Sequence, residues 1–383
     1  MGNTFNLLKK NGYILIFSIL TILTYFVLFA ARTADDNRLI SWQWVFDGAN
    51  TTEIFLILLA GFIPAYIFSR VSFFERYPVI CLFSLSYVIA ALFWGEPEVI
   101  VDASRYFTQA KYLEVYGMEE FIKEWGKDIY VWTDMPLMPF LYGLIFKFFG
   151  EVRFYIQIFT TFLFAMTVVL TYLIGKELWS EEVGFSAGLL LLGMPYLLTQ
   201  VPLMLIDVPA MFFLTLSVFT YIRALKHGGM WLCFSSVALF LAFFSKYSAW
   251  LMLSVLLIVF FVYLKISLHP QKGDSGNRWR TISYRTALIT SAAALLIGVV
   301  FWYKSDVLVS QIRLLLDYQR PGLRRWSESF ISTFFFQTNL FIAAAALYSA
   351  YAAFKKRDLK YLVIIWLIFL VAVLQIKRIR YII

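Results

Sequence analysis

The sequence predicts an all-α fold, a polytopic bundle of about 11 transmembrane helices in which short loops join most of the spans. Of the 383 residues, 61% are hydrophobic and 15% are charged, and the mean hydropathy is +0.75. Soluble domains of ordinary composition carry much less apolar surface than this. Apolar runs near the length that spans a bilayer recur along the whole chain. A membrane barrel would instead show short segments of alternating hydrophobicity.

The expected spans follow these apolar runs. They cover residues 13–31, 54–69, 79–94, 154–175, 183–204, 209–224, 230–245, 248–266, 286–303, 330–353 and 360–376. The first run is long for a cleavable signal sequence, so we expect it to remain as a helix. Residues 1–78 would form an N-terminal pair of helices, and residues 79–383 one transmembrane module with an outer loop at 95–153 and no soluble C-terminal domain.

The segment Pro136–Gly150 decides the topology, because it is apolar but short and carries Lys147. It could span the membrane or lie along its surface. If it lies flat and the N-terminus is cytoplasmic, the basic loops 265–285 and 355–360 fall inside and the acidic loop 32–53 falls outside, as the positive-inside rule favours. Residues 176–182, an acidic inside loop, and residues 304–328, a basic outside loop, do not follow the rule. An anionic ligand is the simplest reason for an outer loop with so many cations.

The net charge of +9 comes largely from short loops between the apolar runs. This distribution favours lipid headgroup contacts and the positive-inside bias over nucleic-acid binding. Cys81 and Cys233 lie within apolar runs, so we expect both to be buried small side chains. Their positions suggest neither a disulfide framework nor a metal site.

Two aspartates are candidates for chemistry. Asp102 begins the long outer loop, where it is either an ordinary exposed carboxylate or a base that acts on a hydroxyl. Asp207 lies between two apolar runs, where a carboxylate is costly unless it faces a polar cavity. In the flat-helix topology both emerge on one face. They could there share a metal ion or divide the roles of base and orienting group.

Several cations would reach the same outer face. Lys246 interrupts an apolar stretch, and it either extends harmlessly to the interface or binds a ligand. The others are Arg320, Arg324, Arg325, Lys377 and Arg380. Cations that converge at an interface suit a phosphate or pyrophosphate group.

Five short motifs, in order, resemble those of the GT-C superfamily of polyprenyl-phosphate-sugar glycosyltransferases, nearest the branch that contains ArnT and the protein O-mannosyltransferases. Asp102-x-x-Arg105-Tyr106 resembles the Asp-Glu-x-Arg-Tyr of that branch, and the stretch from Asp134 to Leu137 resembles its acidic-Lys-Pro-Pro-Leu motif. The remaining three are Ile206-Asp207-Val208-Pro209 for Leu-Asp-x-Pro, Ser245-Lys246 for Thr-Lys, and Lys377 to Tyr381 for the motif that opens a late helix. The resemblance covers about residues 80 to 383.

The resemblance implies a sugar transfer from a polyprenyl-phosphate donor to an acceptor hydroxyl, with Asp102 as the catalytic carboxylate. Asp134 and Asp207 would orient the base or, with Asp102, hold a divalent cation. Substrate contacts would come from Arg105, Tyr106, Lys246, Arg320, Arg324, Arg325, Lys377, Arg380 and Tyr381. The donor would carry a hexose or pentose on a dolichyl- or undecaprenyl-type lipid, and the acceptor would be a lipid, a glycan or a protein. We expect the site on the extracytoplasmic face of a plasma or inner membrane.

Two residues depart from the family pattern. Ala103 replaces the second acid of the Asp-Glu pair, and Met135 replaces the lysine. The alternatives to an enzyme are a transporter or lipid flippase, and a scaffold that binds lipid headgroups. Carriers usually need ionisable residues near the membrane midplane and often contain repeated halves, whereas these spans carry few charges and show no repeat.

Overall fold

The computed structural model describes residues 76–132, 134–192, 194–268, 278–319 and 340–373, and these residues form helices with no β-strand among them. The all-α prediction is therefore confirmed. The spans predicted at 13–31 and 54–69 lie outside the described residues, so the number of spans stays a prediction.

In chain order the helices are α1 (Pro78–Ala91), α2 (Ile100–Glu124), α3 (Leu137–Phe149), α4 (Arg153–Leu178), α5 (Glu181–Leu191), α6 (Pro195–Gln200), α7 (Asp207–His227), α8 (Met230–Ser245), α9 (Ala249–Met252), α10 (Val255–Leu268), α11 (Arg278–Leu314), α12 (Leu340–Lys355) and α13 (Leu362–Val373). A π-helical turn, Leu315–Gln319, follows α11, and a 3₁₀ turn, Leu359–Tyr361, precedes α13.

Four segments of the described chain are long and apolar enough to cross a membrane: Arg153–Leu178, Asp207–His227, Ala249–Leu268 and Arg278–Asp317. The first two are mostly buried against other helices, and α7 packs between α4 and α8. The last is largely exposed among the described residues, and its apolar surface suits contact with lipid. The core of the described bundle therefore lies around α4 and α7.

The short helix α3 lies against α2 through one face. Its buried residues include Met138, Tyr142 and Phe146, which recur every four residues, while Phe148 and Phe149 are exposed. Thirteen residues of helix are about 20 Å long, which is too short for a bilayer core of about 30 Å. This length is compatible with a position along the membrane surface, which stays a prediction.

The prediction of one continuous span at 183–204 is wrong. Helix α5 ends at Leu191, α6 is only six residues long, and the chain from Val201 to Ile206 is not helical. Pro195 and Pro202 explain the interruptions, because proline cannot donate the backbone hydrogen bond that continues a helix. The result is an irregular segment that leads directly into Asp207.

The prediction of a loop at 304–328 is wrong for its first half. Helix α11 changes direction at Lys304, where φ is −128°, and then continues to Leu314. The charged residues of this stretch had suggested a loop, but Val307, Leu308 and Gln311 are buried at helical spacing. Residues 320–328 lie outside the described part of the chain.

The burial predicted for the two cysteines holds for one of them. Cys81 is buried, but Cys233 on α8 is exposed, and the prediction is wrong there. Cys233 occupies the outer face of an apolar helix, which the sequence pattern alone did not distinguish from its inner face.

Candidate functional site

Helix α2 carries a polar stripe on one face. Asp102, Arg105 and Gln109 are three and four residues apart, so their side chains lie above one another along the helix. Asp102 stands in the first turn of this helix, within the segment predicted as an outer loop that contains juxtamembrane helices, and the helix dipole favours a carboxylate there. Ala103 and Tyr106, next to this stripe, are buried in a hydrophobic cluster. The helix thus fixes three polar groups beside an apolar core.

Arg105 links the two aspartates that the sequence had separated by 32 positions. Its Nε atom lies 2.6 Å from Oδ2 of Asp134, and its Nη2 atom donates to Oδ1 of Asp134 at 2.9 Å. The same Nη2 atom lies 3.6 Å from Oδ1 of Asp102 and donates to the Tyr106 hydroxyl at 3.2 Å. Gln109 donates its amide to Oδ2 of Asp134 at 3.2 Å. Asp102, Arg105, Tyr106 and Asp134 therefore form one network, which the sequence analysis did not predict.

The members of this network differ in how much of each side chain is exposed. The side chain of Asp134 is 3% exposed, whereas those of Asp102 and Arg105 are 23% and 29% exposed. Burial raises the pKa of Asp134 to about 6, although the positive charge of Arg105 opposes the rise. Burial is the largest single influence on the pKa of Arg105 and lowers it, but Asp134, Tyr106 and Asp102 together outweigh burial, so the pKa is raised. Asp102 and Arg105 thus offer a carboxylate and a cation at the accessible edge.

Asp207 and Lys246 form a second ion pair. Nζ of Lys246 lies 2.6 Å from Oδ1 of Asp207, and both side chains are buried. Asp207 begins α7 and Lys246 directly follows α8, so the pair joins two neighbouring helix ends. The interpretation of Lys246 as a side chain that merely extends to the interface is wrong, because its ammonium group is held inside the bundle.

The irregular segment before Asp207 is held by two residues that sequence reasoning missed. The hydroxyl of Tyr142 on α3 donates to the carbonyl of Leu205 at 2.6 Å. The carboxylate of Glu98 accepts from the backbone N–H of Met204 at 3.1 Å and pairs with Arg153. Neither residue belongs to a motif, and their contacts join distant parts of the chain, so no sequence signal was available.

One hydrophobic cluster contains sequence neighbours of both ion pairs. It contains Ala103 and Tyr106 beside the first pair, and Leu205 and Ile206 beside the second. Ala103, which replaces the family's second acid, lies inside this cluster. Met135, which replaces the family's lysine, is 1% exposed and packs near Phe244 and Leu308. Ala103 and Met135 are therefore apolar side chains at buried positions, where the family's acid and lysine would be buried charges.

Six of the expected substrate contacts are not described by the structure. They are Arg320, Arg324, Arg325, Lys377, Arg380 and Tyr381. Their roles stay predictions from the sequence.

Asp102, Asp134 and Asp207, the three aspartates of the predicted metal site, do not fit a metal ion in this arrangement. The Asp134 oxygens contact Arg105 and Gln109, and Oδ1 of Asp207 contacts Lys246. Within the described ranges, no three Asp, Glu, His or Cys side chains are grouped closely enough to hold a metal. The divalent cation that the resemblance allows therefore stays a prediction.

The four apolar helical segments indicate an integral membrane protein, and its described residues contain two ion pairs, Arg105–Asp134 and Lys246–Asp207. Residues 134–303, less than half of the chain, match the model of a protein family described as dolichyl-phosphate-mannose-protein mannosyltransferase. This match confirms the resemblance to the GT-C superfamily and supports a membrane glycosyltransferase. It includes Asp134, Asp207 and Lys246, while Asp102 and Arg105 precede it. No curated protein matches the sequence.

Proposed function

We propose that this protein transfers a sugar from a polyprenyl-phosphate donor to the hydroxyl group of an acceptor, with inversion at the anomeric carbon. The matched family is described by a dolichyl-phosphate-linked mannose donor and a protein acceptor. The proposed donor carries a hexose or pentose on a dolichyl- or undecaprenyl-type lipid, and the acceptor is a lipid, a glycan or a protein.

The contact between Asp102 and Arg105 carries this proposal. A base and an anion-binding guanidinium lie 3.6 Å apart, and both are partly exposed. Sugar transfer from a lipid phosphate requires these two groups, because one substrate loses a proton and the other releases a phosphate. The other two aspartates are nearly inaccessible and each contacts a cation, which suits positioning better than direct attack.

In the proposed reaction, Asp102 accepts the proton of the acceptor hydroxyl as its oxygen attacks the anomeric carbon. The bond from that carbon to the phosphate oxygen breaks, and its electron pair leaves with the phosphate. Arg105 then compensates the charge of the leaving group, which needs neutralisation more than protonation. A single displacement of this kind inverts the anomeric carbon.

The buried groups complete the arrangement. Asp134 holds the guanidinium of Arg105 in place through both of its oxygens. The Asp207–Lys246 pair joins the start of α7 to the end of α8, and the proposal assigns it the role of holding these two helix ends together. We place this site at the extracytoplasmic face, since a flat α3, which its 13 residues allow, would bring Asp102 and Asp207 to one side of the membrane.

The experiment uses the purified full chain in liposomes with a radiolabelled polyprenyl-phosphate sugar and a mixed pool of lipid, glycan and peptide acceptors. The proposal expects label in an acceptor product and release of free polyprenyl phosphate. Label that crosses the bilayer without a new product would support a flippase. Label that only stays bound would support a headgroup-binding scaffold.

A further inference from the structure

The last part of α11 lies against the segment that carries Asp134. After the change of direction at Lys304, the residues Lys304, Val307, Leu308 and Gln311 recur at the spacing of one helix face. The ammonium group of Lys304 donates to the carbonyl oxygens of Lys123 and Trp125. This face of α11 therefore contacts the connection between α2 and α3.

The contact is close enough to require a glycine in that connection. Gly126 has φ +81°, and a Cβ atom there would lie 2.3 Å from Cγ1 of Val307. No side chain fits at that distance. The connection and α11 are therefore tightly packed against each other at Gly126 and Val307.

Gln311 makes the contact nearest the ion pair. Its Nε2 atom donates to the backbone carbonyl of Asp134 at 2.6 Å, and both residues are buried. Asp134 is therefore held from two sides, its carboxylate by Arg105 on α2 and its carbonyl by α11. A shift of this backbone would move the carboxylate relative to the guanidinium.

The side-chain amide of Gln311 makes its contact through the Nε2 donor and not through the Oε1 acceptor. Its Oε1 atom is buried and has no hydrogen-bond partner within the described residues. A buried acceptor without a partner destabilises the fold, and a methionine of similar length would not leave such an atom. Simple packing therefore does not explain a glutamine at this position.

We propose that Gln311 is a positioning residue, which fixes the backbone of Asp134 and through it the guanidinium that faces the substrate. The functional part of this inference rests on the proposed sugar transfer. No charge or proton transfer is assigned to Gln311, since its amide contacts the backbone and not a reacting atom.

The first test follows hydrogen exchange of residues 126–135 in the purified full chain. Gln311→Met removes the donor and keeps the approximate length of the side chain. We expect the amides of this segment to exchange about fivefold faster or more. Ser310→Ala is the matched control, because Ser310 is exposed and its hydroxyl donates to the carbonyl of Val307 in its own helix. Unchanged exchange in Gln311→Met would overturn the inference.

The second test combines Gln311→Met with Asp134→Asn and measures kcat for sugar transfer. We expect Gln311→Met to lower kcat about tenfold in the wild-type background and much less beside Asp134→Asn, because both changes disturb the same guanidinium. An equal factor in both backgrounds would show that Gln311 acts independently of Asp134 and would overturn the inference. A wild-type protein without transfer activity would contradict the proposed function instead, and hydrogen exchange would still decide whether Gln311 holds the segment.

Discussion

The ammonium nitrogen of Lys246 lies 2.6 Å from a carboxylate oxygen of Asp207, inside the bundle and between the ends of two packed helices. Each side chain supplies the charge that the other needs in a region of low polarity. A buried charge without its partner destabilises a protein much more strongly than the pair stabilises it. The two residues are therefore expected to depend on each other.

Replacement of Lys246 by methionine tests this dependence. The variant leaves the carboxylate of Asp207 without its cation, so we expect the free energy of unfolding to fall by about 3–5 kcal/mol. Thermal melting in detergent would show a lower transition temperature. Adding Asp207→Leu should restore most of the stability, since no unpaired charge remains, but it should not restore sugar transfer. A single Lys246→Met variant that melts like the wild type would contradict the account.

The pH dependence of transfer should report on Asp134, whose pKa is raised to about 6. Below this pH the carboxyl becomes neutral and releases Arg105, so kcat/KM should fall as the pH is lowered through about 6. Since Arg105 holds the pKa down, Arg105→Gln should move the acidic limb of the residual activity to higher pH. If the acidic limb lies at the same pH in the wild type and in Arg105→Gln, a group other than Asp134 controls the fall in activity.

The raised pKa of Asp134 also makes the free energy of unfolding depend on pH. The pKa of Asp134 is higher in the folded protein than the ordinary value of 3.8, so the folded protein binds more protons between these values. The contribution of Asp134 to the free energy of unfolding is therefore largest below the ordinary value and is lost as the pH rises through about 6. Between pH 3.8 and about 6, the melting temperature of Asp134→Asn should not show the fall with rising pH that this group causes in the wild type. An equal loss of stability in the variant and the wild type would assign it to a different group.

Gly143 tests the contact between α3 and α2. A Cβ atom at this position would lie 2.7 Å from Cβ of Leu113 and 2.8 Å from the carbonyl oxygen of Ala110. We expect Gly143→Ala to destabilise the protein by about 1–3 kcal/mol and to lower transfer, because α3 also holds the segment before Asp207. Gly95→Ala is the control, since no atom lies within 4 Å of its added Cβ. Equal melting temperatures for the two variants would contradict the described packing.

The sequence was sufficient to predict the helical class, and its motifs singled out Asp102, Arg105 and Asp134 one by one as candidate site residues. The contacts among them were not predicted, because Asp102 was expected at the start of a loop, and Asp134 lies 29 positions beyond Arg105 in a separate motif. The apolar runs were equally informative, because the length needed to cross a bilayer leaves a clear pattern.

Other parts of the site depend on contacts that no local pattern encodes. Lys246 pairs with a residue 39 positions away, and Gln311 contacts the backbone of a residue 177 positions away. The change of direction in α11 at Lys304 was missed because charged residues at helical spacing had been interpreted as a loop. Tyr142 and Glu98 are single polar residues outside any motif, so only the packing of α3 and the bundle reveals their role.

The central claim is that Asp102 removes the proton of the acceptor hydroxyl, and the most direct measurement is transfer of radiolabelled sugar by Asp102→Asn. The change keeps the shape of the side chain, and the ion pair that it weakens is partly exposed, so we expect a melting temperature close to that of the wild type. Asp128→Asn is the matched control, because Asp128 is an exposed aspartate in the connection between α2 and α3. The account predicts that transfer is lost in Asp102→Asn and retained in Asp128→Asn. Turnover by Asp102→Asn at the wild-type rate would contradict it.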